Sequence, residues 1–295
     1  MSAAFVGSQG TVSNVDIVDH IHQHGYYILE DAIDPALCDA LLHEIDRLED
    51  AHVPRSLDND FHGHQTTRFY DVLNLGEVWQ QLPVHDAILP VARGLLGDDC
   101  LLNTYGTSII NPGETRQRMH VEDGPFIAAR NSCLPHRLHA ENGPRAHIVL
   151  NTMIALCDFT EKNVATRFLP NSNRLPYPSV EGNDEWYERS QPAVMPRGSV
   201  LFFEGQCFHA GGDNTSDGRR YAVSVDYCAG YLRTQENFLF SIPRERLRSF
   251  DEDLRALLGL RISRGGLGHV YHHAPDELAQ DIAMPTAPTG PERAG

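Results

Sequence analysis

The sequence predicts an all-β core with flanking helices, and three observations carry this. Gly198–Arg233 reads as strand, tight turn, strand: Val200–Glu204 is β-branched and aromatic, Ala210–Gly218 is rich in Gly, Asn, Asp and Ser, and Arg220–Ala229 resumes a strand pattern. Leu101–Ile110 alternates like a strand, and His147–Phe159 reads as a buried one. Helical periodicity is confined to the segments before residue 98 and after residue 233.

Taken in order, residues 1–13 are expected to be disordered. Asn14 can cap a helix running to His24, with Gly25 at its C-terminal end. His20, His22 and His24 on that helix do not face one another at i, i+2 spacing, so they read as a solvated helix end. Tyr26–Glu30 is a short strand. Asp34 caps the next helix, Pro35 suits its first turn, and Leu37, Leu41, Ile45 and Leu48 make its apolar stripe. Residues 51–70 are polar and irregular, with His62 and His64, and read as a pocket loop or a plain surface loop. A helix from Val84 to Leu96 ends at Gly97, and Pro112-Gly113 turns the chain after Ile110. Residues 124–146 form a long insertion with His136 and His139, and residues 171–197 a second long loop with Trp186 and Tyr187. Pro243–Leu258 contains a helix. The tail 283–295, rich in Pro, Ala and Gly, is expected to be disordered. The expected organisation is one domain over 14–282: helices in 14–97, the β core in 98–233 and a helical extension in 234–282.

The chain has 295 residues and a formal net charge of −16, which argues against nucleic acid or an anionic membrane as a partner. No apolar run reaches the ~18–20 residues that a membrane helix needs. The first residues lack the basic start and apolar core of a signal peptide. Six scattered cysteines without a C-x-x-C read as reduced thiols of a cytoplasmic protein. Lys162 is the only lysine, which weakly disfavours a coenzyme A thioester with its phosphates.

The chemistry concentrates in two stretches. His120 and Glu122 are two apart, so on a strand both point the same way. With the distant His209 they make two imidazoles and one carboxylate, the set that non-haem Fe(II) oxygenases use to hold iron on one face. Asp123, next in the chain, is the alternative carboxylate. Eleven residues after His209, Arg220 offers a planar guanidinium suited to grip a carboxylate. Alternation puts Arg220, Ala222 and Ser224 on one face of their strand, and Tyr221, Val223 and Val225 on the other. Arg219 then points away from Arg220.

On these residues the chain resembles the phytanoyl-CoA dioxygenase family of Fe(II)/2-oxoglutarate oxygenases, over roughly residues 14–275. Leu150–Asn163 followed by Ala165–Pro170, the segment from His209 through Asn214-Thr215 to Arg220, and Tyr227–Arg233 with Glu236-Asn237 are similar to family segments. The family usually has His-x-Asp where this chain has Glu122. Val164 and Asn171-Ser-Asn173 also depart from the family's loop. The resemblance implies a double-stranded β-helix, a jelly-roll, cupin-like barrel, with Fe(II) held by His120, Glu122 and His209. It implies 2-oxoglutarate as cosubstrate, its distal carboxylate on Arg220, with Gln117, Thr166, Asn151 and Ser224 in support, and O2 as oxidant. Family halogenases lack the carboxylate ligand, so the retained Glu122 points to oxygenation. The expected activity is oxidation of a small-molecule, natural-product-type substrate: hydroxylation by default, with desaturation, cyclisation or endoperoxidation open. An acyl-CoA hydroxylase of the same family, or a cupin-like metalloprotein without oxygen chemistry, are the alternatives. A homodimer is left open.

Overall fold

A computed structural model describes residues 6–53, 59–124, 126, 147–163, 165–175 and 183–279. The tail 283–295 and His136 and His139 of the insertion lie outside the described residues. The strands are β1 (Val6–Ser8), β2 (Tyr26–Glu30), β3 (Thr66–Thr67), β4 (Leu101–Ile110), β5 (Val149–Ala155), β6 (Arg167–Phe168), β7 (Gln191–Pro192), β8 (Val200–Glu204), β9 (His209–Ala210) and β10 (Arg220–Cys228). Among the described residues they form a seven-stranded sheet, in the order β1-β2-β8-β5-β10-β4-β3, and a three-stranded sheet, β7-β6-β9. They do not close into one continuous barrel. Only the β1–β2 pair is parallel, with Val6 opposite Ile28. β1 falls inside the stretch expected to be disordered; backbone pairing along β2 orders it as an edge strand.

The large sheet has two unlike faces, as period-2 alternation requires. On its outer face Tyr27, Leu29, Leu150, Ile154, Val200, Phe202, Val223, Val225 and Tyr227 pack with the N-terminal helices into the principal core. Helix α1 (Asn14–His24) is held by a capping box in which the Ser13 hydroxyl accepts from Asp16 N at 3.2 Å; the cap is therefore Ser13, one residue before the expected Asn14. Gly25 ends it at φ 87, a left-handed conformation that glycine adopts without strain. Helix α2 (Pro35–Asp50) starts at the Asp34 cap as expected and buries Cys38, Leu41, Ile45 and Leu48. Helix α3 (Leu89–Leu96) starts five residues later than the periodicity predicts. A helix from Val84 would place Pro90 in its interior, where it removes a hydrogen bond; starting at Leu89 puts Pro90 in the first turn.

Beyond the core, the expected helix in 243–258 is split into Arg244–Ser249 and Glu252–Arg255. Phe250 is extended at ψ 154, and the Asp251 carboxylate caps the second piece by accepting from Leu254 N at 2.7 Å. The 171–197 loop carries a helix, Asn183–Arg189. Its Trp186 meets Phe208 edge-on at 5.6 Å, which makes it packing against the small sheet.

Candidate metal centre

The inner face of the large sheet carries Thr104, Gly106 and Ser108 of β4, Asn151 and Met153 of β5, Phe203 of β8, and Arg220, Ser224 and Asp226 of β10. These residues line a cavity of about 540 Å³. Gly106 is needed there: a Cβ at this position would lie 2.6 Å from Phe69 O, so glycine lets the Arg68–Tyr70 segment cross the strand and join the wall.

His120, Glu122 and His209 meet on the opposite wall. One donor atom from each lies within 4.8 Å of the others, and among the described residues this is the one such group. Glu122 Oε1 stands 3.5 Å from Nε2 of both His120 and His209. The strand expected through His120 and Glu122 is reduced to one antiparallel bridge, with His120 N donating to His209 O at 2.9 Å and His209 N to His120 O at 3.0 Å. Glu122 sits in the following turn, where its N donates to Gly205 O at 2.9 Å. Asp123 is buried outside the cluster.

The tautomers follow from the partners. His120 Nδ1 lies 2.8 Å from Arg118 O, and His209 Nδ1 lies 3.0 Å from Cys207 O. A carbonyl only accepts, so each Nδ1 carries the hydrogen and each Nε2 presents a lone pair toward Glu122. This backbone support is the outer-shell arrangement that orients metal-binding histidines. Burial and the neighbouring His120 lower the His209 pKa, which keeps it neutral and able to ligate. Burial pushes the Glu122 carboxyl up, but hydrogen bonding and attraction from the two imidazoles when they carry a proton outweigh it and hold Glu122 well below the usual carboxylate range; with both imidazoles neutral, the place of that proton is open to a metal cation.

Arg220 is 2% exposed, and its guanidinium lies 4.7 Å above the Phe159 ring. Nη2 donates to Ser108 Oγ at 3.0 Å, while Nε and Nη1 have no partner. Burial lowers its pKa to about 9, and no carboxylate offsets that. A buried, unpaired cation costs several kcal/mol, so the site is built for an anion it receives from outside. Arg219 is its opposite: on the outer face its Nη1 donates to Glu49 Oε2 at 3.0 Å and its guanidinium lies 4.9 Å from the Tyr221 ring.

The other expected residues divide. Asn151 is buried on the cavity wall and neither side-chain atom has a partner. Thr166 is buried and lines the same cavity. Gln117 lines the cavity, but Gly211 N donates to its Oε1 at 2.8 Å and its Nε2 donates to Phe61 O, so the amide pins two loops. Ser224 donates to Asp226, with both carboxyl oxygens at 2.9 Å, and not toward Arg220. Sequence reasoning missed Ser108, Arg68, Tyr70 and Asp226. Asp226 was within reach, because alternation from Arg220 through Ser224 places it on the same face.

A donor set of two neutral imidazoles and one carboxylate fits Fe(II), and the unpartnered Arg220 and Asn151 atoms fit a carboxylate-bearing cosubstrate. No described helix is long and apolar enough to cross a membrane.

Comparison with known proteins agrees. The profile of the family described as phytanoyl-CoA dioxygenase (PhyH) matches residues 21–222. The chain is 27% identical to "Dioxygenase ALT11" of Alternaria alternata over 236 residues, 76% of this chain and 73% of that one. It is 26% identical to "Dioxygenase swnH1" of Metarhizium robertsii over 295 residues, 93% and 92% of the two chains. Among solved structures it is similar to the non-heme alpha ketoglutarate dependent epimerase SnoN from nogalamycin biosynthesis. There the TM-score is 0.59 at 20% identity, covering 78% of this chain and 89% of that one. The alpha ketoglutarate dependent carbocyclase SnoK is similar at a TM-score of 0.56 and 16% identity, covering 74% and 85%.

Proposed function

The chain belongs to the phytanoyl-CoA dioxygenase family, whose enzymes use Fe(II), 2-oxoglutarate and O2, and from that premise we propose that it oxidises a small, natural-product-type molecule. Hydroxylation is the default outcome. The two sheets are read as the halves of a double-stranded β-helix with the site between them.

One observation carries this reading. A cluster of two imidazoles and a carboxylate shares a cavity with a buried guanidinium that has two unpartnered nitrogens, Nε and Nη1. His120, Glu122 and His209 would hold Fe(II). Arg220 and Ser108 would receive the distal carboxylate of 2-oxoglutarate, with Asn151 and Thr166 beside it. The chemistry supplied by bound iron and cosubstrate is activation of O2, coupled to conversion of 2-oxoglutarate to succinate and carbon dioxide. The protein's own part is to orient. The backbone carbonyls of Arg118 and Cys207 fix the histidine tautomers, and Arg220 sets the cosubstrate's reach. The buried Phe159 and Phe203 help to keep water from the deep end.

The test is anaerobic calorimetry with Fe(II) and then 2-oxoglutarate. Wild type is expected to bind both. His209→Ala is expected to lose Fe(II) affinity by more than the roughly 10–100-fold that losing an outer-shell partner costs, since it removes a ligand itself. Glu122→Ala should behave likewise, and Asp123→Ala should be milder. Iron binding that survives in His209→Ala, or the reverse ranking of the two carboxylates, overturns the assignment. Succinate release with acyl-CoA thioesters and not with free small molecules would move the substrate class to the acyl-CoA alternative.

A further inference from the structure

Resting on the oxygenase reading above, we infer that the end of the cavity remote from Arg220 recognises an ammonium group on the substrate, with Asp226 as its anchor. Asp226 lies six positions after Arg220 on β10, roughly 20 Å along the strand, so the strand places a guanidinium at one end of the cavity and a carboxyl at the other. Burial and the neighbouring Glu122 push the Asp226 carboxyl well above the usual carboxylate range, so it keeps its proton until a cation beside it favours the ionised form. The cosubstrate's carboxylate belongs at the arginine end. The other end is free for the substrate.

The local backbone builds this end. On β4, Thr104 pairs with Asp226 and Leu102 with Tyr227, so Asn103 is an extra residue in the ladder. Such a bulge interrupts regular pairing and re-aims the side chains beside it. Asn103 Oδ1 then accepts from Gln235 N at 2.9 Å, which brings Gln235 onto the cavity wall beside Asp226. Asp226 is therefore the last inward-facing residue of β10 before the bulge.

Its hydrogen bonding leaves capacity unused. The half-buried Glu236 carboxylate accepts from Asp71 N at 2.9 Å, Tyr105 N at 2.7 Å and Thr104 Oγ at 3.1 Å, and ties loops together. Asp226, 7% exposed, receives Thr152 N at 3.2 Å and one hydroxyl hydrogen from Ser224. In the ionised form these two hydrogens serve about four lone-pair directions. Among the described residues no basic side chain pairs with it. Arg68, on the same wall, donates instead to His62 O at 3.4 Å. Phe61 and Tyr70 line the same cavity and are 53% and 37% exposed, with ring surface left uncovered. A carboxyl with spare acceptor capacity once ionised, near the open Tyr70 ring, is the composition that binds an ammonium ion, by a charge-assisted hydrogen bond and by cation–π attraction.

The experiment is anaerobic calorimetry with hexylammonium, 1-hexanol and hexanoate, on the protein loaded with Fe(II) and 2-oxoglutarate and on the metal-free protein. Wild type is expected to bind hexylammonium at least about 10-fold more tightly than hexanol, with hexanoate weakest. Asp226→Asn should remove most of that preference and leave Fe(II) and 2-oxoglutarate affinities unchanged; Asp226→Glu should keep it. Equal binding of hexanol, tighter binding of hexanoate, an unchanged preference in Asp226→Asn, or a preference lost in Asp226→Glu each overturns the inference. A wild type that prefers hexylammonium but binds neither Fe(II) nor 2-oxoglutarate supports the amine site and sinks the oxygenase reading.

Discussion

Strand β10 presents Tyr221, Val223, Val225 and Tyr227 to one side of the large sheet and Arg220, Ala222, Ser224 and Asp226 to the other, and burial has opposite consequences on the two sides. On the outer side, for Val223, Val225 and Tyr227, it is complete and satisfied. Val223 and Val225 are buried in the principal core, and the Tyr227 hydroxyl donates to Pro83 O at 2.7 Å. On the inner side it is incomplete: Arg220 keeps two unpartnered nitrogens and Asp226 keeps unused acceptor capacity. One strand thus contributes stability on one face and gives some up on the other, and the polar groups left wanting mark where ligands belong.

The comparison breaks most visibly at the outer face. Ile154 on β5 lies opposite Val223 and is fully buried. Ile154→Ala should cost about 2–5 kcal/mol in urea unfolding, since the sheet cannot collapse onto the void. The 2-oxoglutarate affinity of the folded fraction should not change. A loss of affinity with little loss of stability would show that the faces are not separable.

A smaller effect is expected on the inner face. Arg220→Ala should weaken 2-oxoglutarate binding roughly 10–150-fold, as about 1.5–3 kcal/mol of charge-assisted contact is lost. Stability of the ligand-free protein should hold, because the change removes an unpaired buried cation. Arg219→Ala should do the reverse. It breaks the pair with Glu49, for about 0.2–1 kcal/mol, and leaves cosubstrate affinity alone. If titration ranks the two arginines the other way, the face assignment of β10 is wrong.

The smallest effect is in pH. Burial pushes the thiols of Cys100, Cys207 and Cys228 up to about 12. Their folded values lie above the unfolded value, so the stability they contribute is complete below about pH 9 and is lost as pH rises toward 12. By pH 9.5 the loss should be just under ~1 kcal/mol for each thiol. Replacing Cys207 by Ala should flatten the decline between pH 9 and 10 by that amount. An unchanged slope would mean that this thiol is not held protonated.

Local periodicity explains what was legible. The bounds of β4 and β8, the start of β10, the Asp34 cap of α2 and the opposite fates of Arg219 and Arg220 all follow from period-2 alternation or capping chemistry, which act over a few residues. His120, Glu122, His209 and Arg220 were legible as candidates because their residue types and spacings narrow the chemistry. Local rules were outweighed where a nearby competitor was stronger: Pro90 delayed α3, and the Ser13 box displaced Asn14 as cap.

The rest was decided only by contacts between segments far apart in the chain. Glu122 faces the histidines, and Asp123 does not, because the carbonyl of Gly205 catches the backbone of that turn and the His120–His209 bridge sets its approach. Gln117 is spent on Phe61 and Gly211, and Ser224 on Asp226, though sequence alone made both available to a cosubstrate. Asp226 gained its surroundings on the cavity wall from a bulge on β4 and from the segment that Asn103 holds beside it. Sequence determines which face a side chain takes, because that depends on its own strand. What the face meets depends on strands that arrive from elsewhere, and only their packing decides it.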